Sequence, residues 1–245
     1  MAVSPGYQLY LFVTHLFIWA PLVFILVWTY SFEINGKGLG WEKVPLFFWH
    51  PVLMYAAFGI FMAEAILAWR VLPLTHEVKK TIHAVLQTAG FIAGVLATIA
   101  IFEFHKQISA PDFYSVHSWM GTAVLAAGLL QYLSSVFIYW IPGLAPEGVK
   151  AALMPLHKNG GGYIYLGAIA TMLTGVLQRQ SFIRGAAGNF SLVAMWANVI
   201  ALFIFIAGFL VYHHTFIPGV GGSNHAKSEG DTLVPTQPTV TSTEA

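Results

Sequence analysis

The sequence predicts an all-α membrane protein with six transmembrane helices, and two observations support this prediction. First, hydrophobic residues make up 57% of the 245 residues and charged residues only 9%, whereas a soluble domain is usually about 25% charged. So few charges cannot cover a water-exposed surface of this size. Second, six segments each contain the roughly 20 mainly apolar residues that cross a bilayer as a helix.

The six predicted helices are separated by short connections rich in Gly, Pro and charge. The segment from Met1 to Tyr10 has no basic stretch, and no small-residue cleavage site follows the first apolar run, which predicts a retained helix. After Pro218 the chain turns polar, which predicts a disordered tail over 219–245 that follows a membrane domain over 1–218. The predicted spans are Gln8–Tyr30, Leu46–Trp69, Ile82–Phe102, Tyr114–Trp140, Leu153–Leu177 and Ser191–Tyr212.

Six spans place both termini on one side of the membrane, which we call side A, together with the second and fourth connections. The first, third and fifth connections lie on side B. Side A carries six basic residues and side B five, so the positive-inside rule leaves the orientation open. The basic residues are Arg70, Lys79, Lys80, Lys150, Lys158 and Lys227 on side A, and Lys37, Lys43, Lys106, Arg179 and Arg184 on side B.

The composition also excludes several functional classes. A net charge of +1 implies no strong attraction to nucleic acid. The absence of cysteine excludes disulfides, thiolate metal sites and cysteine nucleophiles. Ten histidines stand beside only eleven Lys and Arg residues, and ionisable groups inside membrane helices usually have a functional reason. The histidines are therefore the candidate functional residues.

Four histidines near predicted helix ends form two pairs. His50 opens the second helix and His117 the fourth, and both helices enter from side B. His83 opens the third helix and His157 the fifth, and both enter from side A. Each is predicted to lie about one to two turns inside its helix, so the two pairs would be separated by roughly 15–20 Å along the membrane normal.

Two opposed imidazoles can fill both axial positions of a haem iron, which favours electron transfer over oxygen chemistry. A tetrahedral zinc site needs three or four ligands at one point, whereas helix parity predicts two distant pairs. Gly121 and Gly161 each follow a paired histidine by four residues, on the same helix face. They either leave room for a macrocycle or allow close helix packing. A histidine-lined metal or proton transporter and a haem relay for a partner reductase remain as alternatives.

The other ionisable residues of the spans fit this pattern less well. His15 lies inside the first helix and has no assigned role. Glu64 lies within the second helix and should face the bundle interior, either as a structural hydrogen-bonding group or as a proton contact. His213 and His214 end the last helix and are predicted to be interfacial.

Several stretches between about Gly40 and Phe209 carry a resemblance to a known family. The most specific is Tyr-Ser-x-His-Ser-Trp-x-Gly, which runs from Tyr114 to Gly121. The full set is His50–Val52, Glu64–Arg70, Lys79–His83, Leu86–Gln87, Phe104–His105, Phe113–Gly121, Leu153–His157 and Ala197–Asn198. In these stretches, and in the spacing of its four histidines, the chain resembles the ascorbate-reducible transmembrane cytochrome b561 family.

The resemblance implies six helices whose central four form a bundle that holds two b-type haems. The non-cytoplasmic haem would be bound by His50 and His117, and the cytoplasmic haem by His83 and His157. The implied activity is that of a transmembrane oxidoreductase, in which cytoplasmic ascorbate gives one electron to monodehydroascorbate or a ferric chelate on the other side. The family also implies a homodimer in an endomembrane (vacuolar, vesicular or lysosomal) or the plasma membrane, with both termini cytoplasmic.

Substrate residues follow from the same resemblance. The family places basic residues near the cytoplasmic haem to bind the ascorbate anion, and Lys80 matches one of them. Lys150 stands where the family usually has Arg, and His76 takes the basic position seven residues before His83. Positive-inside anchoring is the alternative role for Lys79, Lys80 and Arg70. The predicted substrate-binding residues are Lys80, Lys150, His76, Arg70 and Lys79 on side A, and His105 and Tyr114 on side B.

Overall fold

The computed structural model describes residues 5–32 and 38–216, and every regular element in these two ranges is a helix. Six helices are long and apolar enough to cross a membrane, which confirms the predicted fold class. The predicted tail over 219–245 lies outside the described residues. The helices are α1 (Pro5–Ser31), α2 (Lys43–Val71), α3 (His76–Gln107), α4 (Val116–Trp140), α5 (Glu147–Ala187) and α6 (Leu192–Phe216).

Two helices begin about six residues earlier than predicted. α3 begins at His76 rather than Ile82, and α5 begins at Glu147 rather than Leu153. Each first turn carries an acidic residue, which the helix dipole favours at an N-terminus. The charged segments that the hydropathy pattern assigns to connections are therefore helical turns outside the apolar core. Lys79, Lys80 and Lys150 lie on these turns.

The predicted depth of the histidines is right for one residue of each pair and wrong for the other. His50 and His83 each lie seven residues, about two turns, after the start of their helices. His117 is only the second residue of α4, because Ser115 caps the helix through a reciprocal bond with Ser118. His157 lies ten residues, nearly three turns, into α5.

The apolar core is formed by α1, α2, α5 and α6. α1 buries one face, with Thr14, Ile18, Pro21, Ile25 and Trp28 at spacings of three and four residues. This is the period of a helix that packs against its neighbours along one side. Two tyrosines, Tyr55 of α2 and Tyr165 of α5, are among the largest fully buried side chains. The core therefore holds α2 and α5 against the outer pair α1 and α6.

α3 packs closely against α2 through a stripe of small side chains. A methyl group added at Gly90 would lie 3.1 Å from the carbonyl oxygen of Ala57 on α2. Small residues let membrane helices approach this closely. The buried residues of the stripe are Gly90, Ala93, Gly94, Ala97 and Ala100.

α2 is not a regular α-helix along its whole length. Residues Tyr55–Met62 form a π-helical segment between His50 and Glu64. A π turn contains more residues than an α turn, so it rotates the residues that follow relative to those before it. The segment therefore decides which face of α2 Glu64 and Ala65 occupy relative to His50. A second π segment, Val136–Trp140, ends α4.

Candidate functional site

The structure brings the four candidate histidines together as two ring pairs. The ring centroids of His50 and His117 are 6.1 Å apart, with the planes at 89°. The ring centroids of His83 and His157 are also 6.1 Å apart, with the planes at 73°. These are the pairs that helix parity predicts.

On α2 and α3, each helix accepts a hydrogen bond from the other's histidine. His50 Nδ1 donates to the Ala97 carbonyl at 3.1 Å, and His83 Nδ1 donates to the Ala65 carbonyl at 2.9 Å. A backbone carbonyl can only accept, so the Nδ1 atom of both rings carries the hydrogen.

α4 and α5 repeat this exchange with one difference. His117 Nδ1 donates to the Thr171 carbonyl at 2.9 Å. His157 Nδ1 lies 3.0 Å from the hydroxyl of Ser135, and that hydroxyl donates its hydrogen to the Gln131 carbonyl at 2.6 Å. Because a serine hydroxyl has one hydrogen, Ser135 Oγ accepts from His157. All four rings therefore share one tautomer, with Nε2 unprotonated.

This geometry suits a metal held between two axial imidazoles. A hydrogen bond at Nδ1 is the usual way in which a protein orients a histidine that binds metal through its other nitrogen. An imidazole nitrogen binds a metal at about 2 Å, so two rings sharing one ion have centroids about 6 Å apart. Both observed separations of 6.1 Å agree with that distance.

The two ring pairs lie on separate levels of the bundle. On α3 the acceptor of His50 is Ala97, fourteen residues after His83. On α5 the acceptor of His117 is Thr171, fourteen residues after His157. Fourteen residues of helix correspond to about 21 Å along its axis, slightly more than the sequence predicts. Within the described residues, no group of three or more His, Cys, Asp or Glu side chains could hold a metal, so the arrangement favours two axial pairs over a tetrahedral site.

Three glycines lie near the ring pairs. A methyl group on Gly121 would meet Thr171 Cγ2 at 3.5 Å, and one on Gly161 would meet Gln131 Nε2 at 2.9 Å. Both predicted glycines thus lie at the contact between α4 and α5, as the helix-packing alternative expects, and their cofactor contact stays a prediction. Gly175, which the sequence analysis missed, lies directly against the ring of His117. A methyl group there would be 2.7 Å from His117 Cε1 and 2.9 Å from its Nδ1.

On side A, Trp69 contacts two predicted substrate residues, His76 and Lys79, and one of the paired histidines, His83. Its ring centroid lies 5.3 Å from that of His76 and 6.1 Å from that of His83. The ammonium of Lys79 lies 5.7 Å from the Trp69 ring centroid, within the range of a cation–π contact. Trp69 therefore bridges the exposed first turn of α3 and the paired histidine.

The end of α4 forms the other half of the side A group. The Tyr139 ring centroid lies 5.3 Å from that of His157, and the Lys80 ammonium lies 5.7 Å from the Trp140 ring. The Tyr139 hydroxyl donates to the Lys150 carbonyl at 3.4 Å, and the Lys150 ammonium pairs with Glu147 at 2.6 Å. Lys80 and Lys150 thus both approach the Tyr139–Trp140 end of α4, beside the His83–His157 pair.

Arg70, another predicted substrate residue on side A, contacts the last helix. Its guanidinium donates to the carbonyl of Thr215 at 2.8 Å, near the end of α6. A cation at a helix C-terminus is a favourable structural contact. The role of Arg70 in substrate binding stays a prediction.

On side B, His105 and Tyr114 lie near each other with defined partners. Their ring centroids are 6.3 Å apart. His105 Nδ1 lies 2.7 Å from the Asp112 carboxylate, and Gln178 Nε2 donates to the Tyr114 hydroxyl at 2.7 Å. Asp112 and Gln178 orient the two predicted residues, and sequence reasoning found neither of them. Ordinary polar residues near helix ends carry no signal that separates these two from their neighbours.

Comparisons with known proteins agree with this architecture. Residues 49–183 match the family model described as eukaryotic cytochrome b561. The chain is 31% identical over 215 residues to transmembrane ascorbate ferrireductase 1 of Arabidopsis thaliana, covering 86% of this chain and 88% of the relative. It is 32% identical over 198 residues to the plasma membrane ascorbate-dependent reductase CYBRD1 of Rattus norvegicus, covering 78% of this chain and 68% of the relative.

A third relative extends the likeness over a similar length. Transmembrane ascorbate ferrireductase 2 of Arabidopsis thaliana is 34% identical over 207 residues, covering 83% of this chain and 88% of the relative. The matched region contains all four paired histidines and runs from α2 into α5, so it covers all or most of four helices. The chain belongs to the eukaryotic cytochrome b561 family.

Proposed function

We propose that this protein is a transmembrane ascorbate-dependent oxidoreductase that carries single electrons from side A to side B through two b haems. The observation that carries the proposal is the pair of opposed imidazoles on each level, with 6.1 Å between centroids and Nδ1 engaged in all four rings. Family membership supports haem b as the cofactor, and the names of the relatives support ascorbate as the donor.

The residues present fit two bis-histidine haems. His50 and His117 would hold one haem near side B, and His83 and His157 would hold the other near side A. A haem with both axial positions filled supplies one-electron transfer without an open site for oxygen. The protein's part is to orient the four rings through Ala97, Thr171, Ala65 and Ser135, and to exclude water from the bundle.

Side A carries the features that an ascorbate anion requires. Lys80 supplies positive charge over Trp140, and Tyr139 and Trp140 supply flat surfaces and a hydroxyl next to the His83–His157 pair. Lys150 would be the second cation, although its ammonium is paired with Glu147 and its contact with Tyr139 is through the backbone carbonyl. Lys79 and His76 add charge and hydrogen-bonding capacity around Trp69. We propose that this is the cytoplasmic face and that both termini lie there.

Side B carries the features of an acceptor site. The His105–Asp112 pair and the Tyr114 hydroxyl, held by Gln178, offer hydrogen-bonding groups at the side B mouth. Monodehydroascorbate or a ferric chelate would receive the electron there. The ferrireductase name of two relatives supports a ferric acceptor. A homodimer and an endomembrane or plasma-membrane location remain predictions.

An absorption spectrum of the purified protein, recorded before and after ascorbate is added, tests the proposed function. We expect b-type haem bands that ascorbate reduces to most of the extent reached with dithionite. A colourless protein would contradict the proposal in favour of a metal or proton transporter. Haem bands that dithionite reduces and ascorbate does not would instead indicate a relay for a partner reductase.

Replacing Ser135 with alanine should raise the midpoint potential of the side A haem alone. The imidazole of His157 loses its Nδ1 acceptor, so it becomes a weaker donor and stabilises the oxidised state less. A hydrogen bond is worth about 1 kcal/mol, which is about 40 mV for a one-electron couple. Redox titration followed by visible absorption measures the change.

Ser134→Ala is the matched control for this variant. Ser134 donates to the same Gln131 carbonyl, at 3.1 Å, but its hydroxyl has no contact with a paired histidine among the described residues. Its potentials should match those of the unmodified protein. Equal potentials in Ser135→Ala and Ser134→Ala would contradict a tuning role for Ser135.

A further inference from the structure

A histidine–carboxylate contact joins two of the predicted spans, outside the two ring pairs. His15 Nδ1 of α1 lies 2.9 Å from Glu64 Oε1 of α2, and Trp19 Nε1 donates to the same oxygen at 3.1 Å. The side chains of His15 and Glu64 are 38% and 19% exposed. An ionisable residue at this depth is costly and usually functional. The proposed electron path does not use this pair.

The pair lines a cleft that reaches the helix segment around His83. The cleft has a volume of about 170 Å³, and its walls include Ala68 and Val71 of α2 and Ile82 and Leu86 of α3. A water molecule occupies about 30 Å³ of liquid, so the cleft has room for several. Ile82 and Leu86 lie one residue before and three residues after His83, so the cleft lies against the helix that carries this haem ligand.

Glu64 is also linked to that ligand through the backbone of α2. The next residue, Ala65, accepts the Nδ1 hydrogen of His83 at 2.9 Å. The carboxylate and the acceptor of the haem ligand are therefore consecutive residues of one helix. We therefore expect a change of charge on Glu64 to alter the potential at the side A site, because charges inside a bundle of low dielectric constant interact strongly.

Among the described residues, no Lys or Arg forms an ion pair with Glu64. From α5, the buried Tyr165 lies within electrostatic range of Glu64, and its hydroxyl has no hydrogen-bond partner there. From α6, the fully buried His214 lies within electrostatic range of His15, a burial that corrects the predicted interfacial position. α3 contributes apolar Ile82 and Leu86. On α2 the next charged residue, Arg70, is engaged with Thr215.

We propose that the His15–Glu64 pair is a proton-binding site that takes up one proton when the side A haem gains an electron and releases it when that electron leaves. This inference depends on the proposed function. With a neutral imidazole on His15 and an ionised carboxylate on Glu64, the pair carries one negative charge. The positive charge of the oxidised haem iron would compensate it. Once an electron from ascorbate has cancelled that compensation, a second proton makes the pair neutral. The proton comes from side A water through the cleft, so one electron and one proton are gained together.

The dependence of the haem potentials on pH tests the proposal. Purified full-length protein with its haems is titrated with redox mediators, without ascorbate, at several pH values around neutrality. For one proton per electron, the side A potential falls by about 59 mV per pH unit, because each tenfold drop in proton concentration lowers the apparent equilibrium constant for reduction tenfold. Glu64→Gln should flatten this slope. The side A component is identified by its loss in His83→Ala.

Glu77→Gln is the matched control, because Glu77 also lies on side A beside a histidine, 3.2 Å from His76, but its side chain is 80% exposed. It should keep the slope. A flat slope in the unmodified protein, or an unchanged slope in Glu64→Gln, overturns the proposal.

An infrared difference spectrum between reduced and oxidised protein gives a second readout. It should show a band of the protonated pair, either the Glu64 carboxyl or the His15 imidazolium, that grows on reduction, shifts in D₂O and is absent in Glu64→Gln. If that variant fails to bind haem, the absence of such a band from the unmodified protein overturns the proposal. Failure of the proposed function would appear separately, as missing haem components or as haems that ascorbate cannot reduce.

Discussion

Replacing His83 with alanine should remove one of the two proposed haems and leave the other in place. His83 and His157 face each other at 6.1 Å on a level about 21 Å from the other pair. Loss of one proposed axial ligand should remove the side A haem, while the His50–His117 pair should keep its hydrogen bonds. The haem-to-protein ratio, measured as the pyridine complex, should fall by half, with only the side B component left in a redox titration.

His76→Ala is the control for this change. His76 lies two turns earlier on α3 with an exposed ring that contacts Trp69, so its removal should leave the haem content unchanged. If His83→Ala folds and retains both haems, or loses both, the assignment of two independent pairs is wrong.

Replacing Gly175 with alanine should remove or weaken the side B haem without destabilising the fold. The added methyl group would lie 2.7 Å from His117 Cε1, so the ring must rotate and lose its bond to the Thr171 carbonyl. Overpacking of this kind costs about 1–3 kcal/mol, or a roughly 5- to 150-fold weaker site. Alanine is favoured over glycine in a helix by about 1 kcal/mol, so the helix itself does not suffer. Haem content and redox titration measure the loss.

Gly128→Ala provides the matched control, since its methyl group would lie 3.9 Å from Ile164 in ordinary contact. Both haems should remain. The side B haem should be lost or weakened in Gly175→Ala and the side A haem lost in His83→Ala, so the two variants should affect opposite spectral components. A normal side B component in Gly175→Ala would show that His117 tolerates the added methyl group without losing its ligand geometry.

Much of the fold follows from hydropathy alone. All six predicted spans are helices, and helix parity is enough to pair His50 with His117 and His83 with His157. The errors fall at helix ends, where α3 and α5 extend past the apolar core into charged turns. Hydropathy detects the membrane-crossing part of a helix, whereas α3 and α5 themselves begin directly after the extended backbone of Thr75 and Pro146.

The surroundings of the ring pairs could not be predicted in the same way. The acceptors of three histidines are backbone carbonyls, of Ala97, Ala65 and Thr171. Every residue has a carbonyl, so nothing in the side-chain pattern marks these three. Ser135 and Gly175 are ordinary residues of membrane helices, and their roles depend on what faces them.

The sequence by itself determined six apolar spans and, through their parity, two histidine pairs near opposite faces. Only the tertiary structure decided the hydrogen bond at each Nδ1, the contact of Gly175 with His117, and the pairing of His15 with Glu64 across 49 residues. The physical reason is helix rotation. Parity depends only on the number of crossings, whereas side-chain partners depend on the angular phase of each helix, which the π segment Tyr55–Met62 changes within α2.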